Sequence, residues 1–315
     1  MRAEHDGATQ PLRRFVAPRH WPLWLALAAL RLVHVLPIRR QLAAGRVLGR
    51  LVHRLSPRRA RIARRNLELC FPELDTAGRS DIERAHFESV GMSVIELALA
   101  WWSSDERLAP LVRFEGLEHL DAAIDRHGSA VILTAHFTTI EIGGRFLKRH
   151  LDMFDGVYRE NRNPFVDEII RRARARSGRR LIEKSDIKTM IRSLRAGVSV
   201  WYAPDQSYRR KYAELLDFFG EPAMTNTATS RVAALGKAAI LPFFCWRESA
   251  DGRYAVRFLP PIEPAGDDPA IDVTRQYLDA TEAMIRLAPE QYYWVHRRFK
   301  ERPAPLPDVY AGLRS

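Results

Sequence analysis

The strongest constraint on the fold of this chain is an alternation of short apolar runs with amphipathic stretches, which begins near residue 112. The apolar runs are rich in β-branched and aromatic side chains, as is typical of buried strands. They cover 130–134, 198–202, 239–244 and 254–258, with helical stretches near 138–150, 163–176, 186–195, 225–236 and 270–288. This order predicts an α/β fold with a mixed, largely parallel central sheet flanked by helices. In such sheets the ligand site lies beyond the carboxyl ends of the strands.

The part of the chain before this alternation predicts helices and a membrane anchor. Apolar residues recur at helical spacing between residues 15 and 102. Within this part, 21–38 (WPLWLALAALRLVHVLPI) is an 18-residue run that is almost wholly apolar, interrupted by Arg31 and His34. A spanning helix needs about 20 apolar residues and tolerates an arginine near its middle poorly, so the run either spans the membrane or lies in its interface. The alternative is a core helix of a soluble domain.

Positive charge follows this apolar run directly. The chain carries 50 Lys plus Arg against 38 Asp plus Glu, a net charge of +12, and ten arginines with no acidic residue lie between 39 and 67. Such a segment attracts anionic lipid, nucleic acid or an acidic protein, or else forms a solvated helix face. No nucleic-acid-binding motif accompanies it, and the apolar run favours the anionic headgroups of the cytoplasmic leaflet, so we expect no nucleic-acid partner. We therefore divide the chain into a membrane-anchoring part of apolar and basic helices, 1–56, and a second domain, 57–315.

The best chemical signal in the sequence is His136, which ends the apolar run 130–135 and precedes Glu141 by five residues. Residues five apart in one helix are offset by about 140°, so the two side chains can meet only if His136 precedes the helix. Glu141 can then reach back to one imidazole nitrogen and fix its tautomer, while the other nitrogen takes a proton from a hydroxyl. The same residues also fit a capping box, Thr138-x-x-Glu141, in which Glu141 only accepts hydrogen bonds from backbone N–H groups. These six residues alone support both interpretations equally.

Cysteine usage and the lack of cofactor motifs limit the chemistry. The two cysteines, Cys70 and Cys245, are far apart and lack CxxC spacing, which argues against a disulfide scaffold or a cysteine zinc site and fits a reducing compartment. No His, Asp or Glu cluster has metal-ligand spacing, and neither GxGxxG nor GxxxxGK[ST] occurs. We therefore predict no metal, dinucleotide or nucleoside triphosphate cofactor.

Motifs along most of the chain, from about Pro18 to the C-terminus, resemble those of one family. They are NL at 66–67, CFPE at 70–73, HFTTIEIGGRF at 136–146, YR at 158–159, NP at 163–164, PDQ at 204–206, DFFG at 217–220, PEQY at 289–292 and WVHRRFK at 294–300. The sequence resembles the late acyltransferases of lipid A biosynthesis, the lauroyl and myristoyl transferases, which are related to glycerolipid acyltransferases with an H-x4-D/E motif. Each motif is weak alone, but their order and spacing together are specific.

This resemblance implies a reaction, its partners and a location. A fatty acyl group passes from an acyl carrier protein thioester to a hydroxyl of a lipid A precursor, Kdo2-lipid IVA or its monoacylated product. The implied location is the cytoplasmic face of the bacterial inner membrane. Residues 57–315 would be the acyltransferase domain, with a fold like that of glycerol-3-phosphate acyltransferase. His136 would be the general base and Glu141 its partner, and no cofactor is implied, since the carrier protein is a cosubstrate.

The resemblance also places substrate-binding residues. Arg159 matches a family position for substrate binding and would suit a bidentate phosphate contact, whereas such an arginine alone more often forms a surface salt bridge. Asp205 matches a second site position, where it would hold a basic residue or a sugar hydroxyl, and a turn aspartate is the alternative. The other predicted substrate-binding residues are Tyr158, Asn163, Arg297 and Arg298. The last two lie on a basic surface for phosphate or the carrier protein, with a structural role as the alternative.

Two other functions are compatible with the residues. One is an acyltransferase that acts on another phospholipid or glycolipid, with acyl carrier protein or acyl-CoA as donor. The other is a non-catalytic basic membrane-binding protein. That second function explains the N-terminal part but not a histidine and a glutamate at the end of a strand.

Overall fold

The computed structural model describes residues 11–175, 177–249 and 251–313. Its helices are α1 (Trp21–His34), α2 (Ile38–Leu55), α3 (Pro57–Cys70), α4 (Thr76–Trp102), α5 (Asp105–Leu108), α6 (Leu117–His127), α7 (Ile140–Leu147), α8 (Pro164–Arg174), α9 (Ile187–Arg195), α10 (Thr229–Gly236) and α11 (Pro269–Leu287). Its strands are β1 (Val112–Glu115), β2 (Ala130–Leu133), β3 (Phe154–Tyr158), β4 (Arg180–Glu183), β5 (Ser199–Tyr202), β6 (Ala213–Phe218), β7 (Glu221–Asn226), β8 (Ala239–Arg247) and β9 (Tyr254–Phe258).

Seven of these strands form one mixed sheet in the order β1-β9-β8-β2-β5-β3-β4. The strands β8, β2, β5, β3 and β4 run parallel, whereas β9 is antiparallel to β8 and parallel to β1. The prediction of a mixed, largely parallel sheet flanked by helices is confirmed. Because the parallel strands end at the same edge, residues that follow β2, β5 and β3 are brought together there.

Apolar cores lie on both faces of the sheet. In β2, Val131 and Leu133 join the core formed with α3, α9, α10 and α11, whereas Ala130 and Ile132 join the core formed with α4, α6, α7 and α8. All four residues are at most 1% exposed. Burial on both faces is expected for a central parallel strand and explains why β2 is a continuous apolar run.

A separate antiparallel hairpin, β6–β7, departs from the predicted pattern. The sequence predicts a helix from residue 225, but β7 continues to Asn226 and α10 begins only at Thr229. The hairpin turns at Phe219 and Gly220, which both have positive φ, 55° and 75°. Two-residue hairpin turns of this hand usually contain Asn, Asp or Gly at the first position. A phenylalanine there gives no turn signal, so the sequence pattern does not indicate this hairpin.

Helix α2 packs along α4 through glycines. A Cβ atom added to Gly91 of α4 would lie 2.1 Å from the carbonyl oxygen of Gly45 and 2.6 Å from the Cα atom of Gly49. The two backbones are therefore in direct contact. This packing joins α2, which lies before the predicted division of the chain at residue 56, to α4, which lies after it.

Helix α1 contains most of the apolar run that the sequence predicts as an anchor. Its 14 residues leave the side chains of Trp21, Leu25 and Leu32 largely in solvent, at 58%, 70% and 70% exposure. Within the described parts of the chain, no helix combines the length and apolarity needed to cross a membrane.

Candidate active site

His136 and Asp205 meet where two neighbouring strands end. β2 and β5 pair in parallel with Leu133 opposite Tyr202, and each site residue follows three positions beyond this pair. Oδ1 of Asp205 lies 2.6 Å from Nδ1 of His136, and Oδ2 accepts a hydrogen bond from the His136 backbone N–H at 3.1 Å. The carboxylate is 1% exposed, whereas the His136 side chain is 33% exposed. Because Nδ1 faces Asp205, Nε2 is the nitrogen that a ligand can reach.

The segment after α11 holds the chain around His136. The hydroxyl of Tyr292 donates a hydrogen bond to Oδ2 of Asp205 at 3.0 Å. Tyr292 also forms an isolated antiparallel bridge with Phe137, and the N–H of Tyr293 donates to the carbonyl oxygen of His136 at 2.9 Å. Backbone and side-chain bonds from this segment thus fix both members of the pair.

The charges of the pair stabilise each other. Burial disfavours ionisation of Asp205, but the charge of His136 and the hydrogen bonds from His136 and Tyr292 lower its pKa to about 2. Burial likewise opposes protonation of His136, yet the Asp205 carboxylate raises the pKa of the imidazole above its ordinary value. The result is a histidine of increased basicity with one fixed nitrogen, which is what general-base catalysis requires.

Glu141 does not contact His136, so the predicted hydrogen bond between them is wrong. Its carboxylate forms an ion pair with Arg174 of α8, and Nε of Arg174 lies 3.1 Å from Oε1. The physical reason is the loop of residues 137–139, since α7 begins only at Ile140 and the loop lets the imidazole turn toward Asp205.

The alternative capping box is wrong as well. The Thr138 hydroxyl hydrogen-bonds to the hydroxyl of Ser89 on α4 at 2.7 Å, and no side chain caps the start of α7. Thr139, at the N-cap position, donates its hydroxyl to the carbonyl oxygen of Cys245 at 2.6 Å. Both threonines therefore bind the loop after β2 to neighbouring elements, α4 and β8, and the Glu141 carboxylate pairs with Arg174.

A cavity of about 710 Å³ opens beside His136. Among the described residues that line it are six cations and no carboxylate: Arg159, Arg174, Lys184, Arg210, Lys211 and Arg231. Its apolar lining comprises Ile140, Val157, Ile170, Ile187, Trp201, Ala203, Pro204, Ala228, Val232 and Leu235. Burial, with the nearby charges of Arg159 and Arg210, lowers the pKa of Lys184. A wall that is both cationic and apolar suits an anionic amphiphile.

Two predicted substrate-binding residues, Tyr158 and Arg159, line this cavity. Tyr158 is the last residue of β3 and Arg159 comes directly after it, and β3 is adjacent to β5 in the sheet. The Tyr158 hydroxyl accepts a hydrogen bond from Nη1 of Arg171 at 2.7 Å, whereas the Arg159 side chain is exposed. Arg159 is thus available to a ligand at the cavity.

The four other predicted substrate-binding residues do not line the cavity. Asn163 caps α8, where its side-chain oxygen accepts N–H bonds at 3.0 and 3.3 Å, and it does not line the cavity. Arg298 is 1% exposed and donates to the backbone and a hydroxyl of β7, so it is structural. Arg297 lies at a separate depression outside the cavity. Asp205 holds a basic residue, His136, which is one of its two predicted roles, and its burial keeps it from a sugar hydroxyl.

Sequence reasoning assigned no role to Arg174, Lys184 or Tyr292. A single cation gives little signal in a chain with 50 of them. For Lys184 a usable signal existed, because it directly follows β4 at the same sheet edge. Tyr292 lies in the PEQY motif, but only the fold places its hydroxyl against Asp205.

The fold and the site together define an α/β protein with a histidine–carboxylate pair beside a cavity whose wall is both cationic and apolar. A family model described as "Bacterial lipid A biosynthesis acyltransferase" matches residues 9–301. The chain therefore belongs to the bacterial lipid A biosynthesis acyltransferase family and is an acyltransferase.

Relatives from Escherichia coli (strain K12) agree with this membership. The chain is 37% identical to a lipid A biosynthesis lauroyltransferase, over 93% of this chain and 96% of the relative. It is 32% identical to a palmitoleoyltransferase over 95% and 97%, and 27% identical to a myristoyltransferase over 92% and 90%. The family resemblance of the motifs is thus confirmed. Among solved structures, the 1-acyl-sn-glycerophosphate acyltransferase PlsC of Thermotoga maritima matches with a TM-score of 0.37 and 13% identity, over 77% of this chain and 97% of that one.

Proposed function

We propose that the protein transfers a fatty acyl group from acyl carrier protein to a hydroxyl of a lipid A precursor, Kdo2-lipid IVA or its monoacylated product. The observation that carries this proposal is the His136–Asp205 pair beside a cavity whose wall is both cationic and apolar. A phosphorylated and acylated disaccharide needs both kinds of wall. The names of the relatives, which are lipid A acyltransferases, support the same acceptor class.

In the proposed step, His136 acts as general base on the acceptor hydroxyl. Nδ1 is engaged by Asp205, so Nε2 takes the proton while the hydroxyl oxygen attacks the carbonyl carbon of the thioester. The carbonyl oxygen carries the developing negative charge until the C–S bond breaks. The imidazolium then returns its proton to the departing thiolate. The products are the new ester and the free thiol of the carrier.

Arg174 is the residue we propose for stabilising the negative carbonyl oxygen. It lines the cavity together with His136, and Glu141 fixes its guanidinium through a bond to Nε at 3.1 Å. A fixed cation beside a developing oxyanion stabilises the transition state more than the ground state. Glu141 is in this proposal a positioning residue that acts through Arg174, not through His136.

Arg159, Lys184 and Arg210 form a cation cluster that we propose for the phosphate groups of the acceptor. They line the same cavity, and the exposed guanidinium groups of Arg159 and Arg210 can approach a phosphate in bidentate fashion. The apolar part of the wall would hold acyl chain. In this proposal the acceptor lies with its phosphate groups against the cations and its acyl chains against the apolar part of the wall, which fixes its orientation.

The same proposal places the protein on the cytoplasmic face of the bacterial inner membrane, with α1 and α2 lying in the interface. On α2, Val47, Leu51 and Leu55 are spaced for one helix face and are 62%, 51% and 72% exposed. They add to the exposed apolar side chains of α1. Arg46, Arg50 and Arg54 each directly precede one of these three residues in the sequence, and we propose that they contact anionic headgroups.

The test is turnover of the membrane-extracted protein with acyl carrier protein as donor and a tetraacylated, Kdo-bearing lipid A precursor as acceptor, followed by mass spectrometry of the product. We expect His136→Ala and Glu141→Ala each to lower turnover by at least about 10², since one removes the base and the other frees Arg174. His127→Ala is the matched control, because His127 is exposed and lies before β2, at the opposite sheet edge. Unchanged turnover of His136→Ala would refute the mechanism, and no transfer by the unmodified protein would refute the function.

A further inference from the structure

A second concentration of positive charge lies outside the cavity. Arg58, Arg209, Arg297 and Lys300, here called the basic rim, surround a shallow depression whose fifth lining residue is Glu301. The Glu301 carboxylate lies 3.8 Å from the Lys300 ammonium. In the described part of the chain, no hydrogen bond or ion pair engages the side chains of Arg58, Arg209 or Arg297. Among the residues that the structure describes, these three cations thus have no structural partner.

The basic rim is connected to the active-site cavity through two chain segments. Arg209 precedes Arg210, which lines the cavity, and Ser207, also of the cavity wall, donates its hydroxyl to the carbonyl oxygen of Lys300 at 3.0 Å. Arg297 lies four residues after Tyr293, whose N–H bonds to the carbonyl oxygen of His136. A partner that rests on the rim therefore lies next to chain segments that line the cavity and hold His136.

We propose that the basic rim is the docking surface for the acidic carrier protein that delivers the acyl thioester. This inference rests on the proposed function and adds where the donor binds.

The form of the rim favours a protein surface over a single phosphate. Its cations come from three separate parts of the chain: the first turn of α3, the loop after β5 and the segment after α11. They surround an open depression, and Arg58 and Arg209 are exposed. Tight phosphate sites instead gather several charged donors onto one group, as the cation cluster of the cavity can. Dispersed charge of one sign matches an acidic protein face and accelerates its association.

The experiment measures KM and kcat for two donors. It uses the full-length, membrane-extracted protein in its unmodified form and as the triple variant Arg58→Ser, Arg209→Ser and Arg297→Ser. One donor is acyl carrier protein loaded with a lauroyl thioester, and the other is lauroyl-N-acetylcysteamine, which has the thioester without the protein. We expect KM for the loaded carrier to rise about tenfold or more with kcat little changed, and KM for the small thioester to stay the same. In the unmodified protein, KM for the carrier should rise with salt, because exposed charges are screened at a Debye length of about 8 Å near 0.15 M.

Arg126→Ser is the matched control, since Arg126 is a 74% exposed arginine on α6, before β2 at the opposite sheet edge. It should change neither KM. An equal rise of KM for both donors would overturn the inference, because the rim would then serve the acceptor or the fold. Unchanged KM values with weaker binding to vesicles of anionic phospholipid would overturn it in favour of headgroup contact. Failure of the proposed function is distinguishable, since the unmodified protein would then transfer no acyl group from either donor.

Discussion

At the scale of single residues, the site depends on which nitrogen of His136 is basic. Asp205 uses one oxygen for Nδ1 and the other for the His136 backbone N–H and the Tyr292 hydroxyl. A carboxylate held in this way cannot rotate to release the ring. The neutral imidazole accordingly carries its proton on Nδ1 and presents the lone pair of Nε2 to the cavity.

We expect Asp205→Asn to lower turnover and to shift its pH dependence. Burial opposes protonation of His136, but Asp205 outweighs burial, so the pKa of His136 lies above its ordinary value in the unmodified protein. The free base forms as pH rises through that pKa, so kcat/KM should rise over this range. With asparagine, burial prevails, the pKa falls and the acid limb moves to lower pH, while maximal turnover falls by about 10² or more. Profiles of kcat/KM against pH for both proteins measure the shift.

Tyr292→Phe is the control for this prediction. It removes one neutral hydrogen bond to Asp205 but keeps the carboxylate charge that raises the pKa of His136. Its acid limb should move much less than that of Asp205→Asn. An acid limb at the same pH in Asp205→Asn and the unmodified protein would contradict the assigned charge effect.

At the scale of elements, the contact between α2 and α4 depends on Gly91. A Cβ there would lie 2.1 Å from the carbonyl oxygen of Gly45 and 2.3 Å from the backbone nitrogen of Gly49, so the helices must separate to admit it. We expect Gly91→Ala to lower the free energy of unfolding by about 1–3 kcal/mol or more. Denaturant unfolding of the purified proteins measures this. Gly266→Ala is the control, because a Cβ atom at Gly266 has no neighbouring atom nearer than 3.9 Å. Equal free energies of unfolding for the two variants would contradict the prediction, since α2 and α4 would then separate without loss of stability.

The site was predictable from the sequence to the extent that it depends on local pattern. His136 follows a buried strand and precedes a helix, and this local order marks it as a site residue. Its partner depends on strand order, since Asp205 is 69 residues away and reaches His136 only because β5 lies next to β2. Glu141, only five residues away, belongs to a helix whose start is set by the bonds of Thr138 and Thr139 to other elements. Packing between segments that are distant in the sequence decides these side-chain contacts, so the spacing of nearby residues does not predict them.

At the scale of the whole molecule, the net charge of +12 is distributed over separate surfaces. One set of cations lines the cavity, a second forms the basic rim, and a third flanks the exposed apolar face of α2. Arg58 of the rim follows three residues after Leu55, the last exposed apolar residue of that face. In the proposed function, this proximity lets an acceptor held in the membrane and a carrier from the aqueous side meet beside His136.

The membrane contact can be tested without removing a segment on which the fold depends. Phe15 is 5% exposed and stacks on Phe165 at 4.9 Å, so deletion of the N-terminal residues would also remove core packing. Leu25→Asp with Leu32→Asp avoids this, because both side chains are 70% exposed.

We expect this double variant to unfold at the same denaturant concentration as the unmodified protein. It should bind vesicles of anionic phospholipid at least about tenfold more weakly, since each leucine contributes about 1.5–3 kcal/mol to binding when its side chain leaves water. Sedimentation with vesicles measures the affinity. Leu287→Asp, on α11 and 52% exposed, tests the effect of one such added charge elsewhere on the surface and should bind like the unmodified protein. Full vesicle binding by the double variant would exclude α1 as the contact and leave the face of Val47, Leu51 and Leu55 on α2, whose arginines would then supply the attraction to anionic headgroups.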